Sequence, residues 1–524
     1  MNASSWLSSG LCLLLGFFCA CSPSESADKG KTFARLSLLD DPQTLDPRKM
    51  RDVGSISVAH LLYEALTRIN SEGAVELAAA EDIEVSPDGR LYTIQLKNGK
   101  WSDGSPVLAD DFVETWKSTL DPTFPAPNAY QLYVIEGAKE AKGGSHALNA
   151  IGIQTIAPKT LVITLKEPVP YFLELLSCPF FYPVHRSLRE GTTGELAVSN
   201  GPFQLVQARA RQEYLLEKNH HFRLAPFMKL AGVSIQVLSE TTALQLFLAG
   251  ELDWAGSPIS TLPQDAIQTL KESKILKMAP AAATYWFRFN TSRAPFNHPS
   301  VRRAFALALD RQSIVNHVTQ GNQVPALTVV PPLLGLTPQG NLQDGNVAEA
   351  KQQLGKGVEE RGWTLPITVT LRCVANARSL KIAQAVQQQW QEALGVEVNI
   401  AASEFKTNIE RMKAGDFEIC LSDWVADIAD PVNFLEIFKS KENPTNLTFW
   451  ENATYAALLD KAALVKDPSE RFDLLSQAET ILLEELPVAP LMHPTFNYLQ
   501  SDRLQGVYVS PLGYIDLVEA YLVP

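Results

Sequence analysis

Apolar and polar positions along this chain follow two periods, and the balance between them shifts from start to end. FARLSLLDD (33–41) reads as a strand, and the turn-rich PQTLDPRK follows it. Ile56, Ala59, Leu62 and Leu66 then recur at helical spacing, which predicts an amphipathic helix. Between Glu84 and Lys97, SPDG supplies turn residues and RLYTIQLK alternates apolar with polar, predicting a hairpin. IGIQTIAPKTLVITLK predicts a second hairpin. ADDFVETWKSTLD reads as a helix opened by Asp110 and Asp111, whose carboxylates suit the unpaired amides of a first turn.

From about Asn200 to Asn290 strands and helices mix, with a helix expected at TTALQLFLAG and a strand at ATYWFRFN. Beyond Asn297 the pattern becomes a helix-rich alternation. HPSVRRAFALALD and RQSIVNHVTQG predict consecutive helices, the second ended by Gly321. PITVTLRC predicts a buried strand, and SLKIAQAVQQQWQEALG a long helix closed by Gly395. VEVNIAA and FEICLSDW predict further strands, the last leading into the irregular VADIADPVNFL. Hairpins followed by alternating strands and helices imply an α+β part joined to an α/β part.

Length makes more than one core necessary: 524 residues imply two or three domains. A hydrophobic share of 46% with 20% charged residues fits a folded globular chain. The net charge of −13 excludes nucleic acid as an expected partner, because phosphate binding needs clustered Lys and Arg. It also disfavours an anionic membrane surface.

The first residues carry a compartment signal. Leu11 to Ala20 is an apolar run, too short for the roughly 20 residues that span a bilayer, and it fits the core of an export signal. Phe18-Cys19-Ala20-Cys21 is similar to a bacterial lipoprotein cleavage box, which assigns residues 1–20 to a signal peptide, lipid to Cys21 and a linker to 21–32. The alternative is an ordinary secretory signal cut near Ala20. Phe18 stands where Leu is usual, and the leader contains no Lys or Arg. With the leader and Cys21 removed, Cys178, Cys373 and Cys420 remain. Cys373 and Cys420 lie in strand-like runs and are expected either to pair or to stay buried as free thiols.

No zinc-spaced Cys/His set appears, nor HExxH, GxSxG or GxxxxGK[ST], so the common cues for a metallopeptidase, a serine hydrolase and a P-loop ATPase are missing. No catalytic residue, metal or cofactor is proposed from the sequence.

Several segments converge instead on one family. LDPRKMRD, LKNGKWSDGSPVLADDFVETWKSTLDP, LKEPVPYFLELLSCP, SNGPFQL, LAGELDW and RFNTSRAPFNHPSVRRAFALALDRQSIV resemble, in order, the extracellular solute-binding proteins of family 5, the oligopeptide-binding lipoproteins of ABC importers. The resemblance runs from about Phe33 to the C-terminus. It implies an α/β, periplasmic-binding-protein-like fold (type II, cluster C) that closes about a hinge. Lobe I is expected from 33–79, 196–295 and 496–524, an inserted domain II from 80–195, and lobe III from 296–495. Most of the shared motifs are architectural: Trp101 is expected to fill a core, Asp310 to cap a helix and Arg311 to pair.

The implied site lies in WVADIADPVNFL. A free peptide brings a cationic amine, and closing over it requires a paired charge; the resemblance gives that role to Asp427. Asp430, directly before Pro431, reads as a helix cap. Strands at Leu39 to Asp41, including Asp40, and at Ser422 to Val425, including Asp423, are implied to bond the peptide main chain. Pockets for side chains are implied at Tyr130, Tyr285, Phe405, Trp424 and Tyr514. Leu421 stands where well-studied relatives carry an Arg, so Arg411, Arg372 or Arg378 is left to meet the carboxylate end. The disulfide of some relatives has no counterpart, Ala283 and Val425 standing near its positions. The implied partners are an oligopeptide and the permease subunits of an ABC transporter, with a monomer held at the membrane by lipid alone. Alternatives are a same-fold binder of a nickel complex, haem or a cell-wall peptide, and, from another class, an exported hydrolase.

Overall fold

The computed structural model describes residues 33–70, 73–191, 198–337 and 342–523; the signal sequence, Cys21 and the linker to residue 32 lie outside them. Phe33–Leu38 runs parallel to Gly232–Val237, and that strand continues antiparallel into Glu213–Lys218 and Phe203–Arg209. Both expected hairpins form and share one sheet: Ala80–Val85 pairs with Leu91–Leu96, which pairs with Thr160–Thr164, then Ile153–Ala157. A third sheet places Thr495–Gln500 between Trp254–Gly256 and Lys277–Pro280. The largest has six strands in the order Val324–Pro325, Val488–His493, Ala283–Phe289, Ile419–Val425, Thr368–Val374, Glu397–Ser403.

Two chain crossings join the third sheet to the largest. One runs from Lys277–Pro280 through Ala281 and Ala282 into Ala283–Phe289; the other runs from Val488–His493 through Pro494 into Thr495–Gln500. They lie side by side, the Ala281 amide donating to the Pro494 carbonyl at 3.2 Å. The cores follow the same division. One apolar cluster joins residues between 34 and 259 with 504–520, and gains Ile428 and Val432 from the far side. Two others lie wholly between 282 and 492.

Local chemistry explains where the elements start and stop. Asn376 caps the helix Ala377–Leu394 by accepting the Ser379 amide, and Gly395 ends it at φ 65°, as expected. Asp310 accepts the Ser313 amide at 2.8 Å, and the buried Arg311 pairs with Asp344 at 3.1 Å. Trp101 is buried, its indole donating to Asp111.

Three expectations shift. The helix Val53–Leu62 stops before Leu66, because Tyr63 turns extended. Asp111 accepts the Leu108 amide at 2.9 Å at the start of Ala109–Leu120, whereas Asp110 accepts from Thr155 instead. After Arg311–Ser313 the turns widen over Ile314–Thr319, so the left-handed residue that ends the helix is Gln320 (φ 55°), not Gly321. The Gln320 amide reaches back to the Val315 carbonyl, and the wider turn brings the end forward by one residue.

Candidate ligand-binding cleft

Ile419–Val425 is paired along one side over its full length, from Phe289 opposite Ile419 to Ala283 opposite Val425. On the other side Thr368–Val374 meets it only at Leu371–Ile419 and Arg372–Cys420 before diverging. From Leu421 onward that edge has no ladder partner among the described residues. An unpaired edge offers a row of amides and carbonyls to any extended chain. Beside it lies a cavity of about 1500 Å³, with Ser422, Asp423 and Trp424 in its wall. The segments 130–139 and 171–175 face it from across the space.

Asp427 stands where the chain leaves the strand. Its carboxylate Oδ2 accepts from the Gln131 side chain at 2.9 Å, and no cation pairs with it among the described residues. Burial pushes the carboxyl up to about 6, against the lowering effect of the Gln131 bond. The Cys178 thiol donates to the Asp427 carbonyl at 3.1 Å, and Asn433 accepts both the Asp427 amide and the Trp424 indole N–H. Tyr130 is nearby; burial first, then the Asp427 charge, raise its hydroxyl far above the ordinary range.

Asp430, three residues on, is built differently. Arg471 pairs with it twice, at 2.8 and 2.9 Å, and Asp430 accepts the Val432 amide at 2.8 Å. It is a helix-start acceptor, as expected, locked by an ion pair that sequence reasoning did not find.

Positive charge gathers elsewhere along the cavity. Arg378 is exposed at the start of the helix Ala377–Leu394, and its charge opposes the burial that raises the Tyr285 hydroxyl. Asp423 opens to the cavity; burial raises its carboxyl, opposed by Arg288 and Arg378. Arg288 spends its donors on Ser422 Oγ and on the Thr445 and Asn446 carbonyls, so it braces the open strand. Phe405, two-thirds exposed, adds an apolar wall.

Of the implied residues, the cavity thus gathers Asp427, Trp424, Asp423, Ser422, Tyr130, Tyr285, Phe405 and Arg378. The others lie apart from its lining. Val425 is exposed at the strand end. Arg411 pairs with Asp416 at 2.6 Å, away from the wall. Asp41 accepts the Arg211 amide and the Tyr214 hydroxyl, Asp40 adjoins it outside the strand, and Tyr514 is buried with its ring 3.8 Å from His60. Leu421, by contrast, packs into the core of the large sheet and still reaches the cavity lining where the open edge begins. Cys178, Cys373 and Cys420 are all free, buried thiols, which decides the open question of pairing.

Gln131, Cys178, Asn433 and Arg288 were missed. Gln131 and Asp427 are 296 positions apart, and no local pattern marks the pair. Among the described residues no His/Cys/Asp/Glu group of three is placed to hold a metal, and no helix is long and apolar enough to cross a membrane.

Comparison with known proteins agrees with this architecture. The oligopeptide-binding protein OppA of Bacillus subtilis is 37% identical over 94% of this chain and 93% of its own length. The dipeptide-binding protein DppE of the same organism is 33% identical over 97% of both. The structure of the Escherichia coli murein tripeptide binding protein MppA superposes with a TM-score of 0.78 and 27% identity, covering 94% of this chain and 99% of that one. The fold is periplasmic-binding-protein-like, type II. The profile of the bacterial extracellular solute-binding proteins, family 5 (middle region), matches residues 74–446, and this chain belongs to that family.

Proposed function

We propose that this protein binds oligopeptides in the cell envelope and delivers them to the permease of an ABC importer, without catalysing a reaction. The observation that carries the reading is Asp427, a carboxylate with no paired cation among the described residues, at the end of an open strand edge facing a large cavity. A peptide running antiparallel to Ser422–Val425 brings its ammonium to Asp427, and its main chain to the free amides and carbonyls. Each such bond contributes about 1 kcal/mol net; several, with one desolvated ion pair, reach the roughly 8 kcal/mol of a micromolar complex. Trp424, Tyr285, Tyr130 and Phe405 offer apolar surface for side chains. Arg378 is the best-placed cation for a terminal carboxylate, since Leu421 carries no charge and Arg411 is engaged.

In the same reading, residues 80–195 form an inserted domain, and the paired crossings at Ala281–Ala282 and Pro494 form the hinge. That moves the boundary of lobe I back from 295, because Ala283–Phe289 belongs to the large sheet. The protein acts as a monomer, exported by residues 1–20 and anchored through lipid at Cys21. The binding reading is tested by denaturing the purified protein and identifying what it releases by mass spectrometry. Peptides are expected; a single defined non-peptide ligand, with no peptide, overturns it.

A further inference from the structure

Gln131 sits on the short turn Ala129–Val134, fixed by the fully buried Leu132 beside it. Its amide nitrogen donates to Oδ2 of Asp427 at 2.9 Å and lies 3.3 Å from the Tyr130 hydroxyl. Oδ1 of Asp427 has no hydrogen bond among the described residues. The titratable groups packed around this carboxylate are Tyr130, Cys178 and, behind the thiol, Glu174; burial raises all three, and a phenol, a thiol and a carboxyl carry no positive charge in either protonation state. The cation of the neighbouring stretch, Arg471, is spent on Asp430.

A neutral amide here differs from the other side chains that would fill the space. A lysine or arginine would occupy Asp427 permanently and compete with any incoming ammonium. A hydrocarbon would leave the buried acid to protonate. An amide favours the ionised form without neutralising it. We infer that Gln131 is a positioning residue that sets selectivity for a free amine: it fixes one oxygen of Asp427 and leaves the other for the ligand's ammonium. The segment across the cleft thereby takes part in reading the amine end, although the charge lies on the opposite wall.

The inference rests on the peptide reading, and one experiment separates the two. The probe is an equimolar mixture of synthetic random tetrapeptides and their N-acetylated twins, incubated with the purified protein. Retained peptides are quantified by mass spectrometry after ultrafiltration, from pH 8 to pH 5. Wild-type protein is expected to retain free-amine peptides over acetylated ones. In Gln131→Met, which keeps the volume but loses the donor, that preference is expected to fall about tenfold, and its acid midpoint to rise by about one pH unit. A purely structural role would lower retention of both forms together and leave the midpoint in place; that result, or an unchanged preference and midpoint, overturns the inference. Retention of neither form by the wild-type protein overturns the peptide reading, and this inference with it.

Discussion

Asp427 and Asp430 lie three residues apart on one irregular segment, and both are taken largely out of water. Asp430 has a bidentate arginine and a backbone amide, whereas Asp427 has one neutral amide. The first arrangement is complete in itself and ties the segment to the helix Pro468–Glu485. The second is unfinished, holding an acid without counter-charge among the described residues in a place that favours its neutral form. Position on the chain does not separate a self-contained carboxylate from an open one; the supply of counter-charge does.

The strongest way to break this contrast is Asp427→Asn. Affinity for free-amine peptides is expected to fall by about two to three orders of magnitude by calorimetry, since an uncompensated ammonium is left in the closed site. Asp430→Ala should do the reverse, costing about 3 kcal/mol in urea unfolding by stranding Arg471, while native protein still binds peptide. If the two variants exchange these outcomes, the roles assigned here are inverted.

Proton linkage sharpens the same contrast. The Asp427 carboxyl, ordinarily near 3.8, is raised to about 6 in the folded protein. Its neutral form therefore adds stability that is fully present below about pH 4 and lost as pH rises through about 6. Unliganded Asp427→Asn is expected to be more stable than wild type by about 1–2 kcal/mol at pH 7.5, after allowance for partial exposure, with the gain vanishing near pH 4. Thermal melts at the two pH values measure it. Binding runs the other way: peptide affinity should fall about tenfold per pH unit below about 6, where ammonium capture must first remove a proton from Asp427. The smallest effect is expected at Arg378. Arg378→Ala should weaken binding of peptides with a free carboxylate by about three- to tenfold and leave C-terminal amides unchanged, because the exposed guanidinium is screened by water.

Local signals in the sequence carried much of the fold. Hydrophobic period located both hairpins, and Gly395 marked the end of its helix because a left-handed φ was required there. Gln320 escaped notice because a widened turn places the left-handed residue by hydrogen-bond geometry rather than by residue type. The cleft was legible where it is contiguous, from Ser422 to Asp427. Its completing groups were not, since Gln131, Cys178 and Arg471 reach this segment only through tertiary packing. Asp40, Asp41 and Tyr514 came from resemblance alone, and the structure sets them apart from the cavity lining: Asp41 bonds the 211–214 turn and Tyr514 packs on His60.

The edge of Ile419–Val425, without a ladder partner beyond Cys420 among the described residues, has a further consequence. Amides and carbonyls are the same in every peptide, so a slot built from them has no vocabulary for sequence. Were that slot the only reader, any compound with a short extended backbone and a free amine would satisfy it, and discrimination among peptides would fall to the apolar walls at Trp424, Tyr285 and Phe405.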